Sequence, residues 1–569
     1  EEMEAQLARI CEIARRYGVK VVKESRSATE TALIWKGRKS AFGATGRVAD
    51  YICMDGTVPT SQLPYVLKRT GEIVASYGLR VANVFHAGDG NMHPLILYNV
   101  NDPAEQAKAE AAGNDILRLC VDAGGCLTGE HGVGIEKRDL MRHQFSEVDL
   151  TQQMRVRAVF DARWLLHPPK VFPLDGVTIV PTKEAEAAEA VRAAQSSRRT
   201  LSIEGGGTRL AFGRPIQTDD TLSSKGLSGI TRYEPAELVF SAWAGTPVAE
   251  IEAALDEKGQ MLPFEPMDHR TIYGGSGAPT IGGIAATGAS GPRRIQAGAA
   301  RDLLLGVRFV NGRGEIVKSG GRVMKNVTGL DLVKVNCGAH GTLGFMTEVT
   351  FKVLPKPERT LTLILEDLDD ERAVQAMSAA LGSPFSVSAA AHLPADVGGA
   401  RARTALRLEH FAESITYRAR ELAKVLSAFG RAREIEDDES RALWRAIRDV
   451  DALAQPKDDM LWRVSVPPTQ APALLARLRQ AGLSFRALLD WGGGLIWIAC
   501  TENAAASTVV REALGGDGHA TLMRASDALR ASLDVFQPQD AALMKLTAGI
   551  KASFDPDGIL NPGRMYAGL

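Results

Sequence analysis

The feature that most limits how this chain can fold is a long-range internal repeat. Phe160-Asp161-Ala162-Arg163-Trp164-Leu165-Leu166-His167-Pro168-Pro169-Lys170 reappears as Phe554-Asp555-Pro556-Asp557-Gly558-Ile559-Leu560-Asn561-Pro562-Gly563-Arg564. Both keep Phe-Asp, an apolar pair, a proline and a cation in the same register. Self-similarity takes precedence over local propensity, because each copy must fold as a unit of its own. Each tail is expected to close a domain of the same type. Carrying the register back sets Leu488–Trp497 under Val84–His93, and Gly518–Arg524 under Gly125–His131. Asp490 then stands for His86, Trp497 for His93, Met523 for Glu130 and Arg524 for His131. The second copy keeps the glycines and lacks the polar residues. One copy is therefore expected to be chemical and the other structural, which leaves the lone His519 as a loop residue.

In the first copy, His86 and His93 flank the glycine loop Ala87-Gly88-Asp89-Gly90-Asn91-Met92, and Glu130-His131 follows on a second one. Imidazole nitrogen and carboxylate oxygen suit zinc and related divalent ions, and a catalytic site leaves one position open. His86, His93 and Glu130 would be three ligands, with His131 beside them as a base. The same spacing also suits two loops whose polar residues only satisfy turns. Leu79 to Phe85 reads as a strand delivering His86, and Pro94 to Tyr98 as its partner. A helix is expected over Pro103–Ala123, capped by Asp102 and stopped by Gly124-Gly125. Cys126-Leu127-Thr128 reads as a short strand presenting Glu130 and His131. Upstream, Leu7, Ile10, Cys11, Ala14 and Tyr17 mark one helical face, and Val19 to Val22 a strand. Arg38, after Trp35, could clamp a carboxylate through its fork or be a solvated surface charge.

The chain has 569 residues, enough for about three or four domains. With 45% hydrophobic and 24% charged residues and a net charge of -1, it gives no reason to expect nucleic acid as a partner. No run is apolar enough for a membrane span, and no signal peptide heads the sequence. The chain opens at Glu1 rather than Met, as a fragment or processed chain would. Its six cysteines contain no C-x-x-C pair. Reduced, mostly buried thiols in a cytoplasmic protein are expected, without an iron–sulfur cluster in this chain.

The character changes after Leu174-Asp175-Gly176. Val177 to Pro181 is strand-like, Lys183 to Gln195 helical, and the strand Leu201–Glu204 runs into Gly205-Gly206-Gly207-Thr208. Consecutive amides in such a loop can cradle a pyrophosphate, although a plain turn has the same composition. It is not a G-x-G-x-x-G fingerprint, since Leu210 stands where the third glycine would be. Further glycine-rich stretches at Tyr273–Gly277, Thr280–Pro292 and Gly338–Gly344 would let backbone lie against a long flat cofactor. From about Pro355 a third domain alternates helices (Ala419–Phe429, Ala471–Gln480) with strands (Leu461–Val466, Leu495–Ala499). Residues 431–445 read as a solvated helix and its approach.

These motifs carry a resemblance. Trp35-x-x-Arg38, Cys53-Met-Asp-Gly-Thr-Val-Pro59, His86-Ala-Gly-Asp-Gly-Asn-Met-His93 and Gly129-Glu-His-Gly-Val-Gly134 resemble the C-terminal half of the large flavin subunit of glycolate oxidase. That subunit belongs to the FAD-linked oxidase family, with D-lactate and D-2-hydroxyglutarate dehydrogenases. Glu204-Gly-Gly-Gly-Thr208, Phe264-Glu-Pro266, Thr280–Gly283, Gly291–Arg294 and Asn561-Pro-Gly-Arg564 resemble the second flavin subunit of the same enzyme. The resemblance implies an α+β architecture. An FAD-binding domain of the vanillyl-alcohol oxidase (PCMH) type, 175–355, would be flanked by two related ferredoxin-like α+β cap domains, 1–174 and 356–569.

It further implies FAD, with Gly205, Gly206, Gly207 and Thr208 at the pyrophosphate and Gly282, Gly283, Ser290 and Gly344 lining the rest. A divalent metal (zinc, iron or manganese) would sit on His86, His93 and Glu130, with His131 as base and Arg38 on the substrate carboxylate. The implied reaction is oxidation of a small 2-hydroxy acid, glycolate first and D-lactate as the alternative, with electrons passing to a carrier other than NAD. Implied partners are an iron–sulfur subunit and an upstream FAD domain of the large flavin subunit. The implied location is cytoplasmic, or peripheral to the inner face of the membrane through the complex. Two departures stand out: no such domain precedes Glu1, and His167-Pro168-Pro169 replaces the usual Asn-Pro-Gly. The order of the pieces is that of a fusion of the two flavin subunits, large one first, cut at its start. A metal hydrolase and a non-catalytic FAD-binding assembly protein are the rival readings.

Overall fold

A computed structural model describes residues 2–161, 166, 167, 170–173 and 176–569. Ala162 to Leu165, Pro168, Pro169, Leu174 and Asp175 lie outside the described residues, and with them part of the first tail and the junction after Leu174. The chain divides into two compact units, Glu1–Leu174 and Asp175–Leu569. Among the described residues no helix is long and apolar enough to cross a membrane.

The first unit is built on an antiparallel sheet of β1 (Asp50–Cys53), β2 (Gly56–Thr57), β3 (Arg80–His86) and β4 (Asn91–Tyr98). β4 is its centre, pairing β1 and β2 along one edge and β3 along the other. Alternation along β4 sends Met92 and Ile96 to the side packed by the helices Leu63–Ser76 and Pro103–Asp122. There they join Val66, Val74, Ile116 and Leu117 in one apolar cluster, each buried side chain contributing about 1.5–3 kcal/mol. Asn91, His93 and Leu95 take the opposite face. Asp102 caps the second helix as expected, its carboxylate accepting from the Ala104 and Glu105 amides.

Three local expectations fail here. The helix Glu2–Arg16 forms, but of its apolar face only Cys11 is buried, because little in this unit packs against it. Val19–Val22 is not a strand, since no neighbouring strand among the described residues pairs with it. Cys126–Thr128 makes only a single bridge, Cys126 to Thr57, before the chain turns into the next loop.

The second unit opens with a small parallel sheet of β5 (Thr178–Ile179), β6 (Leu201–Glu204) and β7 (Asp220–Ser223), with β7 central. Next come β8 (Ile230–Glu234), β9 (Val239–Trp243), β10 (Gln260–Met261), β11 (Leu304–Val310), β12 (Ile316–Gly320), β13 (Phe345–Lys352) and β14 (Leu354–Pro355). Five of these form an antiparallel sheet in the order β12-β11-β13-β9-β8, and β10 pairs β14. The rest is one eight-stranded antiparallel sheet. Its strands are β15 (Arg359–Glu366), β16 (Val387–Leu393), β17 (Arg403–His410), β18 (Arg433–Glu436), β19 (Met460–Ser465), β20 (Arg486–Asp490), β21 (Leu495–Cys500) and β22 (His519–Arg524). They run in the order β18-β15-β17-β16-β20-β21-β19-β22. Residues 431–445 form the expected helix with one solvated face, but its other face is buried and its approach is a strand. They make β18 and most of the helix Asp437–Arg448, whose Trp444 and Ile447 are buried.

The repeat is visible as strand register. Cys53 pairs Leu95 as Leu461 pairs Ala499, and Thr57 pairs Asn91 as Ser465 pairs Leu495. His86 pairs Asn91 as Asp490 pairs Leu495, and Thr57 bridges Cys126 as Ser465 pairs His519. The tails agree too. The Asp161 carboxylate accepts from the Leu166 amide at 2.9 Å, and that of Asp555 from the Leu560 amide at 2.8 Å.

Candidate active site

Residues opposite one another on paired strands, or two apart on one strand, share a face. Cys53 pairs Leu95, Val84 pairs His93 and His86 pairs Asn91, so Cys53, His86, Asn91 and His93 all lie on the face away from the helices. Gly90, at φ 70°, closes the hairpin against β2; a Cβ there would sit 2.0 Å from the Val58 carbonyl oxygen. The loop after Cys126 brings in the fourth group. Glu130 Oε1 lies 3.1 Å from His93 Nε2 and 3.5 Å from His86 Nε2, and accepts from Asn91 Nδ2 at 2.9 Å. The donor atoms of His86, His93 and Glu130 lie within 4.8 Å of one another. The His131 ring stacks on His93 with centroids 5.1 Å apart.

Two imidazoles and a carboxylate are a donor set that fits a divalent ion. Its exposure fits a site that works on a ligand from solvent. His93 is buried, whereas the side chains of His86 and Glu130 are 41% and 54% exposed. Arg38 lies in the exposed helix Ala28–Lys39, its guanidinium 5.5 Å from the Trp35 ring centre, and no hydrogen bond or ion pair among the described residues joins it to these groups.

The residue that organises the loop had no role in the sequence reading. The fully buried Asp55 carboxylate accepts from Thr128 Oγ1 at 2.6 Å and from the amides of Gly129, Glu130 and His131 at 3.0, 3.0 and 2.8 Å. Lys137 Nζ stands 3.4 Å away. Burial alone would raise the Asp55 carboxyl, but the hydrogen bonds from Thr128, His131 and Glu130, with the Lys137 charge, hold it well below the carboxylate range. The anion thus threads the backbone that presents Glu130 and His131. Its sequence signal is its place in the motif Cys53–Pro59, which carries the resemblance without giving Asp55 a role. Burial and the same Asp55 charge push the neighbouring Cys53 thiol up to about 11.

In the second unit a cleft is lined by Gly205, Gly206, Gly207, Thr208, Gly282, Gly283 and Gly344. Ser290 is not among the lining residues. It accepts from the Ala300 amide at 2.9 Å and so ties down the loop behind. The walls approach closely because side chains are missing: a Cβ on Gly206 would lie 1.6 Å from the Ala278 carbonyl oxygen. The amides of Gly206, Gly207 and Thr208 find no acceptor among the described residues. Two guanidiniums line the same cleft, hydrogen-bonded to no carboxylate among the described residues. Arg209 reaches the Met267 carbonyl at 3.1 Å and Arg564 the Leu210 carbonyl at 2.9 Å, and burial brings each down to about 10. Free amides and cations without a bonded counter-charge together fit a dinucleotide's pyrophosphate.

The second tail completes this cleft. Asn561 accepts from the Ile203 amide at 2.8 Å and donates to the His340 carbonyl at 2.7 Å, carrying Arg564 into place. Arg209 and His340 were not singled out from sequence, because lining depends on how distant loops meet.

Comparison with known proteins accords with this geometry. Residues 1–171 and 535–565 match the family described as FAD linked oxidases, C-terminal domain, and residues 176–320 match an FAD binding domain. The glycolate oxidase subunit GlcE of Escherichia coli (strain K12) is 35% identical over 381 residues, which cover 67% of this chain and 97% of that subunit. The chain belongs to the FAD-linked oxidase family of glycolate oxidase flavin subunits. The GlcD subunit of the same strain is 46% identical over 173 residues, 30% of this chain and 35% of GlcD, so the chain spans about a third of that relative. Among solved structures, p-cresol methylhydroxylase with substrate bound superposes with a TM-score of 0.52 at 14% identity, over 68% of this chain and 88% of that one, a likeness of fold. The FAD binding domain match covers the residues that line the glycine-rich side of the cleft, and FAD is the cofactor that these families bind.

Proposed function

We propose that this protein oxidises a small 2-hydroxy acid, glycolate to glyoxylate, as part of a multisubunit flavoenzyme. The observation that carries the reading is the open His86–His93–Glu130 cluster with His131 stacked on it, in a chain that also builds an FAD-type cleft. The domains are read as a cap at 1–174, an FAD-binding domain at 175–355 and a second cap at 356–569, both caps ferredoxin-like. Electrons would leave through an iron–sulfur subunit toward a carrier other than NAD, at the inner face of the membrane.

When bound, a divalent ion supplies Lewis acidity that lowers the pKa of the substrate hydroxyl, and FAD supplies the hydride acceptor. His86, His93 and Glu130 would hold the ion. A ring nitrogen of His131 would take the hydroxyl proton. Asp55 keeps the backbone of His131 in place by accepting its amide. Arg38 is assigned to the substrate carboxylate. Around the cleft, Gly206, Gly207 and Thr208 offer amides to the pyrophosphate, and Arg209 and Arg564 balance its charge.

The test is glycolate-dependent dye reduction together with bound FAD and metal per chain, in wild type and in His131→Ala and His86→Ala. Bound FAD with loss of dye reduction in both variants is expected. Unchanged turnover in either variant overturns the site assignment. A colourless, metal-loaded protein that hydrolyses esters or amides would make it a hydrolase instead.

A further inference from the structure

The first unit holds a second set of metal donors that shares a residue with the first. Cys53 Sγ, a His93 ring nitrogen and a His131 ring nitrogen lie within 4.8 Å of one another, as closely grouped as His86, His93 and Glu130. Strand pairing puts Cys53 and His93 on one face, and Asp55 holds His131 beside it by accepting a 2.8 Å hydrogen bond from the His131 amide. The two sets differ in chemistry. One is two imidazoles and a carboxylate, suited to manganese, iron or zinc. The other is two imidazoles and a thiol, whose thiolate favours softer ions.

We propose that Cys53, His93 and His131 form a distinct site for a thiophilic divalent ion, Cd²⁺ or Zn²⁺, that excludes an ion from the His86–His93–Glu130 set. Binding forms one metal–sulfur and two metal–nitrogen bonds; the thiol proton leaves to solvent and no electrons are transferred. The exclusion follows from His93, which both sets require. His131 is exposed and can turn its ring toward the ion, whereas His93 is held by burial. Resting on the function proposed above, an ion in this site is an inhibitor, because it fixes the ring of His131, which would take the substrate proton. The second copy has no such triad: Leu461, Trp497 and Arg524 stand at the three positions.

The test is ¹¹³Cd NMR of the FAD-loaded full chain, in a Cys126→Ser background that removes the exposed thiol. A resonance shifted into the sulfur-ligated range is expected, lost in Cys53→Ser and in His131→Gln but kept in Glu130→Gln. A resonance lost in Glu130→Gln and indifferent to Cys53→Ser would overturn the proposal while leaving the proposed function intact. No sulfur-ligated resonance at all overturns it equally. The NMR result decides the site even if glycolate is not the substrate. Where turnover is present, Cd²⁺ inhibition should weaken at least ~10-fold in Cys53→Ser, in line with the loss of a ligand. Unchanged inhibition would refute the blocking of His131.

Discussion

The two copies of the repeated sheet share their strand registers and differ in what they do with the same positions. In the first, His86 and Glu130 remain open to solvent around His93. In the second, the equivalents are sealed: Asp490, Trp497, Met523 and Arg524 are 3%, 4%, 2% and 7% exposed. Trp497 and Met523 join an apolar cluster with Leu461 and Leu488. Arg524 donates to the carbonyls of Asp459, Ala454 and Pro456 at 3.0, 2.8 and 2.9 Å, and so pins the one loop that leads into β19. Arg463 stands where Asp55 does, so nothing there can accept three successive amides. The pairing scaffold is therefore indifferent to chemistry. A site appears where its polar residues stay open and an anion orders the loop, and disappears where the same positions are filled and buried.

The largest effect expected is from making the first copy resemble the second. Glu130→Met should drop bound metal below one per chain by elemental analysis. It should lower glycolate turnover in step with the lost metal, because the Lewis acid that activates the substrate hydroxyl goes with it. Retained metal at full occupancy would break the comparison at its main point. Next comes Asp55→Asn, which leaves Lys137 buried without its counter-charge. Losing one partner of a buried pair costs about 3–5 kcal/mol, seen as a lower urea midpoint, and metal affinity should fall ~10–100-fold. Because the Asp55 carboxyl is held low, its contribution is present above the ordinary value of 3.8 and lost as pH falls below it.

On the other side of the comparison, Arg524→Ala should leave metal and turnover in the first unit unchanged. It should cost about 1.5–3 kcal/mol for each charge-assisted bond that water cannot replace, read from denaturant unfolding of the second unit. The smallest effect concerns Asp490, whose carboxyl burial pushes up to about 7. A carboxyl raised on folding binds more protons folded than unfolded between its two values. Stability should therefore fall as pH rises from 3.8 to about 7. Asp490→Asn should flatten that slope in unfolding curves taken across the window. An unaltered slope would mean that Asp490 is charged in the fold.

Much of this was legible in the residues. The Phe-Asp tails and glycine loops announced a repeat, and the registers at Cys53, Thr57, His86 and their counterparts repeat pair by pair. The strand–loop–strand around Gly90 placed His86 and His93 within reach of one metal, because a tight hairpin returns the chain onto itself. The glycine runs announced a surface where backbone meets a large ligand. Periodicity misled at Leu7 and Ile10, whose apolar face finds little cover within its own unit. Charge density at 431–445 marked the solvated face of a helix and hid the other one, where Trp444 enters a core.

What the sequence determined by itself is the residue inventory and its local geometry: which copy carries imidazoles, where the turns fall and which helices cap. What only the tertiary structure decided is which distant groups share a space. Asp55 meets the amides of Gly129, Glu130 and His131 across the fold, and Cys53 comes beside His93 only through the pairing of β1 with β4. Arg209 and Arg564 become the cations of one cleft only because Asn561 docks the second tail on β6. The physical reason is that desolvation and hydrogen bonding act between neighbours in space. A carboxylate or guanidinium acquires its role from what surrounds it, and those surroundings come from segments far apart in the chain.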